Sequence, residues 1–308
     1  MAQRQKILID CDPGHDDAVA LLFAAHHMDL LAVTTVHGNA PLADTTRNAL
    51  AVAELAKIDV PVAAGFAGPL VGKATHAASI HGRTGLDGAD VPPPTRKPIE
   101  AHAVDVIVET ARQHRGELVV ATIGPETNLA VALRREPRLA GWLKEITVMG
   151  GSTARGNVTP AAEFNIYCDP EAAAIVFGCG APIRMVGLNV TRETGFNAAD
   201  IARLKSSGRR VATLIADLMA FYLERQRRAQ GLLIAPMHDV CAIIPYVAPN
   251  LIEYADAAVA IECHGTYTRG MTVCDLRADA AQRNARVAVK SDARPLIDLV
   301  LDTILQYA

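Results

Sequence analysis

Up to about residue 189 the chain alternates short runs of β-branched and aliphatic residues with longer Ala- and Leu-rich segments. Strand-like runs fall at 7–9, 30–36, 118–122, 146–149 and 183–186, and helical ones at 17–27, 42–57, 104–113, 128–135 and 170–177. Short, largely apolar strands separated by helices are what a parallel sheet requires. Each crossover helix covers a face of the sheet, so both faces of every strand are buried. The expected fold is α/β: a doubly wound, mostly parallel sheet with helices on both faces. Beyond residue 189 the pattern changes. Two helical stretches, 201–206 and 211–228, stand nearly back to back, followed by strand-like runs at 257–262, 271–275 and 287–290 and a last helix at 295–306. They are read as a helical and β C-terminal insertion in a single domain spanning 1–308. The Gly- and Pro-rich stretch 65–98, which holds His76 and His81, reads as a lid or site wall rather than a linker.

Composition narrows the function classes. A net charge of −3 and 4% aromatic residues leave neither a basic stripe nor stacking platforms for nucleic acid. No apolar run approaches the roughly 18 residues of a membrane span. The N-terminal apolar stretch is three residues long and ends in an acid, which does not make a secretory signal. The six cysteines are scattered, with no C-x-x-C pair. They read as reduced, buried thiols of a cytoplasmic protein.

The chemistry concentrates where the first strand ends. Asp10-Cys11-Asp12-Pro13-Gly14-His15-Asp16-Asp17 places four carboxylates within eight residues. Asp10 and Asp12 leave the strand's C-terminal end on one face, Pro13-Gly14 turns the chain, and Asp16-Asp17 open the next helix. Ligands of open parallel sheets bind at strand C-termini. Four neighbouring carboxylates repel one another, and a hard divalent cation, Ca²⁺ or Mg²⁺, relieves that repulsion. Helix capping would account for Asp16 or Asp17 but not for Asp10 and Asp12. Two rival motifs fail. Gly68 to Ala74 lacks the glycine spacing and the Ser/Thr of a phosphate-binding loop, and Gly150-Gly151-Ser152-Thr153-Ala154 misses a nucleophile elbow at its last residue.

The segment Asp10 to Ala20 resembles the N-terminal motif of the inosine–uridine-preferring nucleoside hydrolase family. Further family motifs follow in order: Val36-His37-Gly38-Asn39, Ile123-Gly124-Pro125-Glu126-Thr127-Asn128-Leu129-Ala130, Val148-Met149-Gly150-Gly151, the block from Asn157 through Glu163-Phe164-Asn165 to Ala172, and Pro236-Met237-His238-Asp239. Together they run from residue 7 to about 277. The resemblance implies a calcium-dependent enzyme that hydrolyses the N-glycosidic bond of ribonucleosides to ribose and free base. It implies that Asp12, Asp17, Asp239 and the carbonyl of Ile123 bind Ca²⁺, with Asp10 in support. Asp12 also takes a proton from the attacking water. Asp16, Asn39, Asn157, Glu163 and Asn165 would hold the ribose hydroxyls, with Met149 beside the sugar and Phe164 among the substrate-binding residues. His238 would protonate the leaving base, and His81 would stand on the base side. Gln226 fits a position that carries Gln in some pyrimidine-preferring relatives. Gln230 stands where those relatives carry Tyr, so pyrimidine preference is expected with broad specificity close behind. The resemblance further implies a homodimer or homotetramer acting on a small-molecule ribonucleoside, with no nucleic-acid or membrane partner.

These residue types suit that reaction. Glycosidic cleavage passes through an oxocarbenium-like sugar. Carboxylates beneath it supply negative potential, a fixed water supplies geometry, and an acid neutralises the departing base. A one-step displacement inverts C1′. A site built to hydrogen-bond ribose hydroxyls should discriminate against 2′-deoxynucleosides by about 10⁴. Two other readings compete. A metal-dependent phosphohydrolase would want Lys or Arg among the acidic motifs, which carry none. A non-catalytic nucleoside- or calcium-binding protein should have lost Asp12 or His238, and both are present.

Overall fold

The computed structural model describes residues 4–277, 279–280 and 282–308. The first half runs Lys6–Cys11 (β1), His15–His27 (α1), Asp29–Thr35 (β2), Leu42–Leu55 (α2), Val62–Ala64 (β3), Ala78–His81 (α3), Ala103–Gln113 (α4), Val119–Thr122 (β4), Thr127–Arg135 (α5) and Glu145–Met149 (β5). It continues with Phe164–Cys168 (α6), Pro170–Phe177 (α7), Ile183–Val186 (β6), Leu188–Thr191 (α8), Gly195–Phe196 (β7), Ala198–Ser206 (α9), Arg210–Gln230 (α10) and Ala235–Pro236 (β8). Val240–Ile243 (α11), Ile252–Ile261 (β9), Thr272–Asp275 (β10), Ala285–Ser291 (β11) and Ala293–Ile304 (α12) complete it.

Among the described residues, nine strands form one sheet in the order β10-β9-β11-β6-β5-β4-β1-β2-β3. From β11 through β3 every pairing is parallel, and only β9 runs antiparallel to its neighbours β10 and β11. The C-terminal segment is therefore joined to the main sheet, because β11 pairs in parallel with β6. β7 and β8 make a separate two-stranded ribbon.

Alternation along β1 shows why Ile7-Leu8-Ile9 is apolar without interruption. Ile7, Ile9 and Cys11 face one core, with α1, α2 and α10 to α12, while Leu8 faces the other, with α4, α5 and α7. Burying both faces removes the polar alternation that a half-exposed strand would show. The same rule explains α1. Its residues from Ala18 to Ala24 are all buried, so it is an interior helix with no solvent stripe.

The strand order positions the site. From β1 the chain moves outward through β2 and β3, then returns as β4 on β1's other side. The C-terminal ends of β1 and β4 therefore flank a topological switch point, where adjacent connections diverge and leave a crevice. Several short elements were not expected from the sequence: the three-residue β3, the single turn α3 inside the long 65–98 stretch, α6, α8 and the β7–β8 ribbon. Among the described residues no helix is long and apolar enough to cross a membrane. All six cysteines are free thiols.

Candidate active site

Asp10 is the last acid inside β1, and its Oδ1 accepts hydrogen bonds from Thr34 Oγ1 at 2.6 Å and Asn128 Nδ2 at 2.8 Å. Those bonds tie β1 to β2 and α5. Asp12 lies just past the strand. Its Oδ2 accepts the Asn39 amide at 2.7 Å, whereas its Oδ1 is buried without a partner among the described residues. Gly38 makes this possible, because a Cβ there would collide with the Asp12 carboxylate. Asp17 does cap α1, accepting the Gly14 amide at 2.9 Å through Oδ2, and Asn39 Nδ2 donates to the same oxygen at 3.1 Å. Capping leaves Asp17 with spare acceptor capacity.

Asp239 arrives from the far end of the chain, between β8 and α11. Asp16, Asp17 and Asp239 each offer a carboxylate oxygen, all within 4.8 Å of one another. Asp10 and Asp12 are not in this trio. Asp10 is engaged by Thr34 and Asn128, while Asp12 lies close enough for its charge to act on Asp239. Asp16, expected among the hydroxyl binders, both belongs to the trio and lines the cavity above it.

Burial makes this cluster electrostatically costly. It pushes the Asp16 carboxyl up to about 8 and Asp17 to about 6, with the Asp17 charge adding to the rise at Asp16. Asp12 and Asp239 are pushed well above the carboxylate range by burial first and by their neighbours' charges second. No Lys or Arg is among the cavity-lining residues to offset them. An all-oxygen set with an orphaned buried carboxylate oxygen and no side-chain cation fits a hard divalent ion.

Above the acids lies a cavity of about 320 Å³. It is lined by Asp16, Asn39, His81, Ile123, Met149, Asn157, Glu163, Phe164, Asn165, Gln226, Gln230, His238 and Asp239, so the structure gathers the whole expected substrate set from seven separate segments. Asp10, Asp12 and Asp17 are not in its lining. Asn165 Nδ2 donates to the carbonyls of Ile123 at 3.1 Å and Met149 at 3.0 Å, fastening the ends of β4 and β5 together. Glu163 Oε2 accepts the amides of Gly151 at 3.0 Å and Ile166 at 3.1 Å, capping α6. Asn157 Oδ1 and Gln226 Oε1 are buried acceptors with no partner among the described residues. Buried polar atoms are seldom left unpaired, and here they belong to cavity-lining residues that can meet a polar ligand's donors.

His238 Nδ1 lies 2.7 Å from Thr191 Oγ1, and burial, with the Arg192 charge, pushes its pKa down to about 3. Burial likewise drives His81 well below the ordinary histidine value, with the neighbouring His15 and His238 contributing. Residues 75–77 and 79–81 of the long Gly- and Pro-rich stretch form one wall of the cavity. Tyr222, one turn before Gln226 on α10, lines it too and was not singled out in the sequence. An aromatic on a long helix reads as core, and only its i, i+4 spacing to Gln226 signalled otherwise.

Residues 7–298 match the family profile described as inosine-uridine preferring nucleoside hydrolase. The pyrimidine-specific ribonucleoside hydrolase RihA of Salmonella typhimurium is 40% identical over 307 residues, covering 98% of this chain and 99% of the relative. Among solved structures, a plant nucleoside hydrolase, PpNRh1, superposes with a TM-score of 0.93 at 33% identity, covering 98% of this chain and 99% of that one. A purine-preferring ribonucleoside hydrolase from Gardnerella vaginalis also superposes with a TM-score of 0.93, at 30% identity and the same coverage.

Proposed function

Because this chain belongs to the inosine-uridine preferring nucleoside hydrolase family, and is thus a ribonucleoside hydrolase, we propose that it is calcium-dependent and prefers pyrimidine ribonucleosides. The observation that carries the reading is the convergence of Asp16, Asp17 and Asp239 beneath a polar cavity, with Asp12 Oδ1 unpartnered beside them. Asp12, Asp17, Asp239 and the main-chain carbonyl of Ile123 would hold the ion, with Asp10 fixing the strand from which Asp12 projects. When bound, calcium supplies a positive centre that orients a water and the ribose diol and favours the water's deprotonation.

The chain's own groups do the rest. Asp12 accepts a proton from the water that attacks C1′, and its position is fixed by the Asn39 amide. Asp16, Asn39, Asn157, Glu163 and Asn165 bind ribose hydroxyls, and Met149 and Phe164 pack beside the sugar. The C1′–N bond breaks with its electron pair leaving on the base, which takes a proton from His238. In the resting cavity burial keeps His238 neutral. Negative charge gathering on the departing base raises its proton affinity, so the acid role belongs to the occupied site. Gln226, with its free buried Oε1, and Gln230 border the base. The 40% identity to a pyrimidine-specific hydrolase supports the preference. The whole chain is read as one domain.

The test is base release from uridine, cytidine, inosine and adenosine, in EGTA and with Ca²⁺ restored. Faster release from the two pyrimidine nucleosides, abolished by EGTA and recovered with Ca²⁺, is expected. Faster purine release would overturn the preference. Activity indifferent to EGTA would overturn the metal requirement.

A further inference from the structure

α1 begins with His15, a fully buried residue whose ring stacks on Phe221 and Tyr222 of α10 at centroid distances of 5.5 and 5.3 Å. Its Nε2 is 2.9 Å from the main-chain oxygen of Asp87, and its Nδ1 is 3.0 Å from Nδ1 of His81. Gly14 leaves room for this pairing, since a Cβ there would stand 2.5 Å from His81 Nδ1. The two short contacts fix where the hydrogens lie. A carbonyl oxygen only accepts, so the first hydrogen is on His15 Nε2. The buried ring forms no ion pair among the described residues and is the neutral imidazole, with one N–H. His15 Nδ1 is then bare, and the hydrogen between the two rings belongs to His81 Nδ1. The His15 amide also faces His81 Nδ1, at 3.3 Å. It favours the opposite tautomer but makes the longest of the three contacts, and obeying it would set a bare Nε2 against the Asp87 carbonyl.

We propose that His15 is a positioning residue that holds His81 as the Nδ1–H tautomer, so that His81 presents a bare Nε2 to the cavity. His81 Nε2 makes no hydrogen bond among the described residues, and the ring lines the cavity. His81 thus serves as a hydrogen-bond acceptor for a donor on the substrate, not as a proton donor, and the two cavity histidines have separate tasks. Through Asp87, His15 also ties the cavity wall formed by 75–81 to the helix turn that carries Asp16 and Asp17. Only the substrate-binding half of this inference rests on the nucleoside reading above; the tautomer does not.

Nitrogen NMR of ¹⁵N-histidine-labelled protein at neutral pH reads the tautomer directly, with His81→Gln identifying the His81 signals. Expected in the wild type are a pyrrole-like Nδ1 and a pyridine-like Nε2. In His15→Phe, which keeps a stacking ring, His81 should turn over to the Nε2–H form, the partner that sets its protonation being gone. A wild-type His81 with a protonated Nε2 overturns the proposal, as does a tautomer unmoved by His15→Phe. The wild-type spectrum decides the matter even if the variant does not fold. In kinetics, His15→Phe should lower kcat/KM for uridine by about 10- to 100-fold. Adding His81→Phe to it should cost nothing further, whereas additive losses overturn the coupling. Absence of any nucleoside hydrolysis in the wild type would sink the functional reading and leave the tautomer result standing.

Discussion

Asp12 has one carboxylate oxygen committed to the Asn39 amide and one with no protein partner. Asp10 has the same one-sided pairing, with Oδ1 held by Thr34 and Asn128 and Oδ2 without a partner among the described residues. The base role proposed for Asp12 therefore rests on its place past the strand end, near enough for its charge to act on Asp239. Asp12→Asn should lower kcat for uridine by about 10²- to 10⁴-fold, the usual range for loss of a general base. Steady-state kinetics check this, and a change confined to KM would contradict it. For His238 the leaving group is the probe. His238→Ala should lower kcat far more on inosine than on p-nitrophenyl riboside, whose leaving group needs no proton, and equal losses on both would remove the acid role. At this scale the sequence was informative where side chains follow directly from a strand end. Asp16 was legible as an acid but not as a partner of Asp239, because that contact closes across more than 200 residues of chain. Tyr222 was hidden among the apolar residues of α10.

Elements were most legible where burial on both sides leaves a mostly apolar run, as in β1, β4, β5 and β6, all recognised in their order. Short pieces were not. β3 is three residues long and owes its place to pairing with β2, and α3 is one turn inside a stretch whose composition reads as loop. Neither has enough local pattern to announce itself before the tertiary structure forms. The packing of α1 against α12 carries its own prediction. His27 Nε2 lies 2.8 Å from Thr303 Oγ1, and burial, with the charges of His26 and Arg4, lowers its pKa from 6.5 to about 4. The folded chain favours neutral His27, while the unfolded chain takes up the proton at higher pH. The stabilising contribution is therefore intact above about pH 6.5 and is lost as pH falls toward 4. His27→Gln, which can still reach Thr303, should flatten the fall of the urea midpoint across that window. An equally steep fall in both proteins would contradict the assignment.

Across the whole molecule, one strand order does what local sequence cannot. By bringing β4 back beside β1, it sets the Ile123 turn against the first acids, and the return through β8 delivers Asp239 to the same spot. The family motifs named these residues, but their separation in sequence kept the geometry out of view until the sheet was assembled. In the proposed reading, a cation that relieves the cost of burying these acids together contributes to the fold's stability as well as to its chemistry. A ligand at 100 times its Kd stabilises the folded state by about 2.7 kcal/mol, so millimolar Ca²⁺ should raise Tm over protein in EGTA, and an unchanged Tm would argue against a site in the folded core. Calorimetric titration of Ca²⁺ into chelator-treated protein tests the central claim most directly. The account predicts one ion bound per chain in the wild type and none in the Asp17→Asn, Asp239→Asn double variant. Undiminished binding by that variant, or no binding by the wild type, would contradict it.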